Sequence, residues 1–158
     1  MDILSLVNQI RNYEPNLMGI IFDYVFVPCS QDQEGKHKYI RAFPNKNGTI
    51  NEKAFYNNNK LEWVIIDNSV KSIGNSAFAG CLSLNDVTIG NSVKSIGRSA
   101  FAGCSSLTHL TIPNSIKSIG NDAFYRCSSL REVNIPKHLE TIVKDNNVFP
   151  KHTKIIVR

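Results

Sequence analysis

No stretch of this 158-residue chain reaches the ~18–20 consecutive apolar residues that a membrane-spanning helix needs, so no helical span is expected. The four cysteines, Cys29, Cys81, Cys104 and Cys127, form no close pair such as CxxC. That removes the usual zinc sites and the disulfide scaffold of a small secreted protein. The phosphate loop GxxxxGK[ST], the zinc helix HExxH and the nucleophile elbow GxSxG are all missing. The histidines, His37, His109, His138 and His152, are scattered, and none marks a Cys–His nucleophile pair. The chain is therefore expected to be no enzyme and to need no metal or cofactor. A basic region ahead of an apolar segment is also lacking at the N-terminus, where acidic Asp2 follows Met1. No secretory signal is read, and an intracellular location is expected.

What the chain has is repetition. "NSVKSIGNSAFAGC" at 68–81 returns as "NSVKSIGRSAFAGC" at 91–104. Blocks of 23 residues begin at Leu61, Leu84, Leu107 and Leu130, and the first two agree at 17 of 23 positions. Within a block, Leu61, Val64 and Ile66 stand among polar residues, the period-two pattern of a strand with one buried face. A turn follows (DNS, GNS, PNS, PKH), then a second apolar pair such as Val70 and Ile73. Gly74, Gly97 and Gly120 are read as bends at positive φ. Ala, Phe and Cys close the block. One block cannot bury these residues alone, but stacked blocks set Leu on Leu, Phe on Phe and Cys on Cys, with parallel strands ~4.8 Å apart. The fourth block loses its Gly, Ala and Cys. A two-residue insertion there aligns Val148 and Phe149 with the Ala–Phe columns and leaves 153–158 as a final capping strand.

The pattern LxxLxIPxSIxxIGxxAFxxCxxL, clearest over 107–130, resembles the BspA-like, treponemal-type leucine-rich repeat. Ser69, Ser92 and Ser115 fill the position where many other leucine-rich repeats carry asparagine. The resemblance implies an α/β repeat solenoid, with short parallel strands on a concave face and irregular or short helical turns on the convex face. It also implies a binding role without enzymatic activity, and a family often described as surface or adhesion proteins. Two segments are assigned: a capping segment over 1–49 and the solenoid over 50–158. In the first, Ile3, Leu4, Leu6, Val7 and Ile10 form one helical stripe. Residues 16–28 read either as a strand that pairs with 38–43 or as a helix faintly like the opening of an F-box, an adaptor motif. "NGT" at 47–49 is a glycosylation sequon if the chain is secreted, and more simply an Asn-Gly turn.

On such a solenoid the outward strand positions carry the partner-binding surface. They are Glu62, Trp63 and Ile65; Asn85, Asp86 and Thr88; Thr108, His109 and Thr111; and Arg131, Glu132 and Asn134. These columns vary between blocks while the core columns do not. Trp63 beside Ile65 reads either as an interface anchor or as a patch covered by the N-terminal segment. The formal charge is +5, of which residues 126–158 carry +4. That basic end is a solvated end or a surface for an acidic partner. Lys71, Lys94 and Lys117 make a stripe without interleaved aromatics, so no nucleic acid is expected. The expected role is protein–protein interaction through the concave sheet. The alternatives are a surface module for matrix protein or glycan and an adaptor with an F-box-like N-terminus. Monomer and homodimer through the C-terminal edge are both open.

Overall fold

The computed structural model describes residues 27–28, 39–145 and 147–158. The helical stripe at Ile3–Ile10, the alternation Phe22–Phe26 and Cys29 lie outside the described residues. From residue 39 onward the chain winds as a solenoid of short strands. The longer strands are β2 (Tyr39–Ala42), β4 (Trp63–Ile66), β6 (Asp86–Ile89), β8 (His109–Thr111), β10 (Glu132–Ile135) and β11 (Lys154–Val157). Between them lie two-residue strands: β3 (Thr49–Ile50), β5 (Ser72–Ile73), β7 (Ser95–Ile96) and β9 (Ser118–Ile119). Ahead of all is β1 (Val27–Pro28), antiparallel to β2 with Val27 opposite Arg41, the pairing sought between 16–28 and 38–43.

The coil repeat reaches back ahead of residue 50. Tyr39–Ala42 pairs in parallel with Trp63–Ile66, so its backbone is already part of the solenoid sheet. The first sheet has order β1-β2-β4-β6, and a further sheet has order β11-β10-β8. No ladder joins β6 to β8, where the repeat predicted continuous pairing. Part of the reason is Pro113. In its column Asp67 donates its N–H to the Ala42 carbonyl at 3.0 Å, and proline has no N–H to give. Pro136 repeats that loss one coil later without parting β8 from β10, so proline is not the whole cause. The short strands form an unbroken sheet of their own, β3-β5-β7-β9.

Alternation places Val64 and Ile66 inward and Trp63 and Ile65 outward, and the same holds for Val87 and Ile89 against Asp86 and Thr88. The inward residues join one continuous core that runs from Ile40 to Phe149. Its spine is a row of rings, Phe55, Phe78, Phe101, Phe124 and Phe149, with neighbouring centroids 4.8, 5.1, 5.2 and 5.0 Å apart. Burying each ring stabilises by about 1.5–3 kcal/mol. Beside it the thiols of Cys81, Cys104 and Cys127 donate to the carbonyls of Phe55, Phe78 and Phe101 at 3.1, 3.3 and 3.2 Å. All three are buried and free.

The bend assignment needs correcting. Gly74, Gly97 and Gly120 are not at positive φ. They are glycine because a Cβ at each would lie 2.6, 2.7 and 2.5 Å from the backbone nitrogens of Glu52, Asn75 and Arg98 in the coil before. The left-handed residues come two positions later: Lys53, Ser76, Ser99 and Asp122, at φ 52–58°. A second such column is Asn57, Gly80, Gly103 and Arg126.

In the fourth block a 3-10 turn (Lys137–Leu139) and a short helix α1 (Glu140–Asp145) replace the β–Gly bend. The insertion is absorbed there. Asn147, at φ 47°, takes up the left-handed column late, and Val148 accepts from Phe124 N–H at 3.0 Å as Ala123 does from Phe101 N–H. At 45–49 the chain makes the Asn-Gly turn: Gly48 N–H donates to the Asn45 carbonyl at 2.9 Å, with Asn47 exposed. Among the described residues no helix is long and apolar enough to cross a membrane.

Candidate binding face

Parallel pairing turns the outward strand positions into rows. Trp63 stands opposite Asp86, and Ile65 opposite Thr88. Across β8, β10 and β11, His109 stands opposite Glu132 and Glu132 opposite Lys154, while Thr111 meets Asn134 and Asn134 meets Ile156. The column ahead of the strands is tied through the backbone: Asn85 N–H donates to the Glu62 carbonyl at 2.8 Å and Arg131 N–H to the Thr108 carbonyl at 2.9 Å. All twelve sequence-predicted positions point away from the core. Glu62, Glu132 and Asn134 are partly covered, and the other nine are exposed. Trp63 is 49% and Ile65 39% exposed.

Polar contacts across this face are light. His109 Nδ1 lies 3.0 Å from Thr108 Oγ1, and Lys154 Nζ lies 3.8 Å from Glu132. At its edge Asp67 is fixed by Ser69, whose backbone N–H and hydroxyl donate to it at 2.8 and 2.6 Å, and by Arg41 Nε at 3.0 Å. Burial alone would raise the Asp67 pKa, but the Ser69 bonds and the Arg41 charge outweigh it and hold the carboxyl below its ordinary range. The thiols go the other way. Burial pushes Cys81 up to about 11 and Cys127 up to about 12, and raises Cys104 as well. They stay protonated at neutral pH and are poor nucleophiles.

A groove of about 740 Å³ opens on the face between β6 and β8. It gathers seven of the predicted residues: Asn85, Asp86, Thr88, Thr108, His109, Thr111 and Asn134. Trp63, Ile65 and Glu62 lie one strand away, and Arg131 and Glu132 stay outside it. The groove also takes in Asn91, Asn114, Ser115 and Arg158, which sequence reasoning missed. Asn91 and Asn114 carried a signal, since asparagine recurs every 23 residues just past the strand, but it was read as turn chemistry alone. Arg158 carried none. Its guanidinium donates to the Ile112 carbonyl at 3.1 Å, 46 residues away, a contact set by the stacking of coils.

Comparison with known proteins places this geometry. The BspA type leucine rich repeat region matches residues 20–156 in six copies. A leucine-rich repeat protein from Bacteroides ovatus is 33% identical over 83% of this chain and 32% of its own, with a TM-score of 0.69. A leucine rich cell surface protein from Faecalibacterium prausnitzii is 26% identical over 85% of this chain and 38% of its own, with a TM-score of 0.65. A leucine-rich repeat protein from Bacteroides capillosus is 34% identical over 68% of this chain and 71% of its own, with a TM-score of 0.51. The chain thus spans about a third of the length of the first two. No curated protein matches it.

Proposed function

The chain belongs to the BspA-type leucine-rich repeat family, and from that premise we propose that it is a binding module that holds a partner protein on the outward face of its longer strands, without a chemical step. One observation carries this reading. Columns that face the core keep their residue type from coil to coil, while Trp63, Asp86, His109 and Glu132, at the same position of successive coils, differ at every step. A stack of coils fixes the spacing of such a row and leaves its chemistry open, which suits rigid presentation of side chains to a partner. Trp63 is the candidate anchor, since exposed tryptophans dominate many interfaces. Capture from the source cell's lysate by the wild-type chain, compared with a Trp63→Ala, Arg131→Ala double variant shown to be folded by circular dichroism, tests the reading. A protein held by the wild type and lost by the variant supports it; equal capture removes this face from consideration.

A second reading, a surface module that binds a matrix protein or a glycan, is favoured by the F. prausnitzii relative, which is described as a cell surface protein. Labelling intact source cells with a membrane-impermeant biotin reagent separates the two. A labelled chain places it on the surface, and an unlabelled one supports the intracellular reading.

A further inference from the structure

The groove between β6 and β8 follows the strands and carries one charge of each sign, set toward opposite ends. Asp86 is the one carboxylate of its lining and Arg158 the one guanidinium. Asp86 is the first residue of β6 and is exposed on the outward side. Among the described residues its carboxylate makes no ion pair or hydrogen bond. Arg158 lies past the other end of the strands. Parallel register sets Ile135 opposite Val157, so Arg158 stands level with Pro136 and, by the repeat, with Pro113 and Gly90. Its guanidinium reaches back to the Ile112 carbonyl at 3.1 Å. That bond uses one of five N–H donors and fixes the charge about one level short of its own backbone. From Asp86 to this charge is three to four residues of strand, about 10–13 Å at ~3.3 Å per residue.

The rest of the exposed lining is rich in amides. Asparagines elsewhere in the chain clamp the next coil: Asn68 Oδ1 accepts from Asn91 N–H at 2.8 Å, and Asn75 Oδ1 from Arg98 N–H at 2.9 Å. The side chains of Asn85, Asn91, Asn114 and Asn134 line the groove and make no such bond among the described residues. A free carboxamide offers N–H and C=O together, the pair that each peptide group of an extended chain presents along its edge. The spacing of the charges fits the same occupant. Outward levels of β6 fall at Asp86, Thr88 and Gly90, the two-residue step at which an extended peptide returns its side chains to one side. On such a peptide, side chains two positions apart are separated by ~7 Å and side chains four apart by ~13 Å. Only the wider spacing spans from Asp86 to Arg158. A polyanion would meet Asp86, and an uncharged ligand would leave both charges unanswered.

We propose that this groove binds an extended segment of the partner protein that carries a basic and an acidic residue four positions apart. The basic one lies against Asp86, the acidic one against Arg158, and the asparagines bond the backbone amides between them. This rests on the outward face being the binding surface, and it names the part of the partner that the face reads. A phage library of random dodecapeptides is selected on the full chain. Enrichment of peptides with Lys or Arg four residues from Asp or Glu is expected. The most enriched peptide is then made with a fluorescein label, and its binding is followed by anisotropy. Asp86→Asn should weaken it about threefold, as exposed pairs do, and Asn134→Leu about tenfold. Lys117→Ala, beside the short-strand sheet, should leave it unchanged. A fresh selection on the Asp86→Lys chain should exchange the basic residue for an acidic one at the same spacing, which a loss of folding would not produce. The proposal is overturned by no enrichment, by enrichment without the spaced pair, by unchanged affinity in both weakened variants, or by the same peptides from the Asp86→Lys chain. If it falls while the Trp63→Ala, Arg131→Ala variant still loses a captured protein, the outward-face reading stands and the extended segment alone is removed. If both fail, the face is not the site.

Discussion

A single methyl group separates two kinds of glycine-like position in this chain. At Gly97 a Cβ would press on the backbone at Gly74 and Asn75, which no rotamer can relieve. Gly97→Ala should lower stability by about 1–3 kcal/mol, read as a fall in the midpoint of urea unfolding. Ser99, two residues on, sits at φ 53° with a side chain that strains the backbone. Ser99→Gly should raise stability by about 0.5–1 kcal/mol, because relief of the left-handed strain exceeds the entropy that glycine adds to the unfolded chain. The sequence reading placed the left-handed bend at the glycines and gave the serine column no such role, since a recurring glycine looks the same whether it serves φ or close approach. The cysteines give a prediction in pH. Their folded pKa values are raised above the ordinary 9.0 by burial, to about 11 at Cys81 and about 12 at Cys127. The unfolded chain therefore loses these protons first as pH rises. Stability from this source is complete below pH 9 and drains away between pH 9 and about 12. Thermal melts across that range should show it, and Cys81→Ala, Cys104→Ala, Cys127→Ala together should flatten the slope.

At the scale of an element, the coil was largely legible. Leu61, Val64 and Ile66 announce a strand by their alternation, and the Phe column announces the stack, because both follow from nearest-neighbour geometry that recurs in the text. The late placement of Val148 and Phe149 was legible for the same reason: a ring had to meet Phe124, and only Phe149 was near. The pairing of short strands into their own sheet was not, since two residues such as Ser72 and Ile73 carry no period. The rows of the candidate face were legible as positions, but the groove was not, because it depends on a missing ladder rather than on any residue type. The stack itself is testable. Phe101 lies between two near-parallel rings, at interplanar angles of 3° and 2°. Phe101→Ala should cost about 3–5 kcal/mol, while Phe149→Ala, with a ring on one side only, should cost less; chemical denaturation of both variants ranks them.

For the whole molecule, the seam between β6 and β8 leaves each of these two strands laddered on one side only. Hydrogen exchange resolved by residue should find Asp86–Ile89 and His109–Thr111, laddered on one side, faster than Trp63–Ile66 and Glu132–Ile135, laddered on both. Uniform protection across the four would mean that the seam closes in solution. The likeness between blocks has a further outcome. Removing residues 84–106 brings Leu61 against Leu107 and Phe78 against Phe124, the same kinds of contact as before. The shortened chain should fold, with an unchanged circular dichroism spectrum per residue; aggregation would show that the coils are not interchangeable. Seen as heredity, near-identical text at a fixed interval lets two gene copies align one block out of step and exchange there. Each such accident lengthens or shortens the product by one whole turn, about 4.8 Å, and hands it a new row of outward side chains without disturbing what lies beneath.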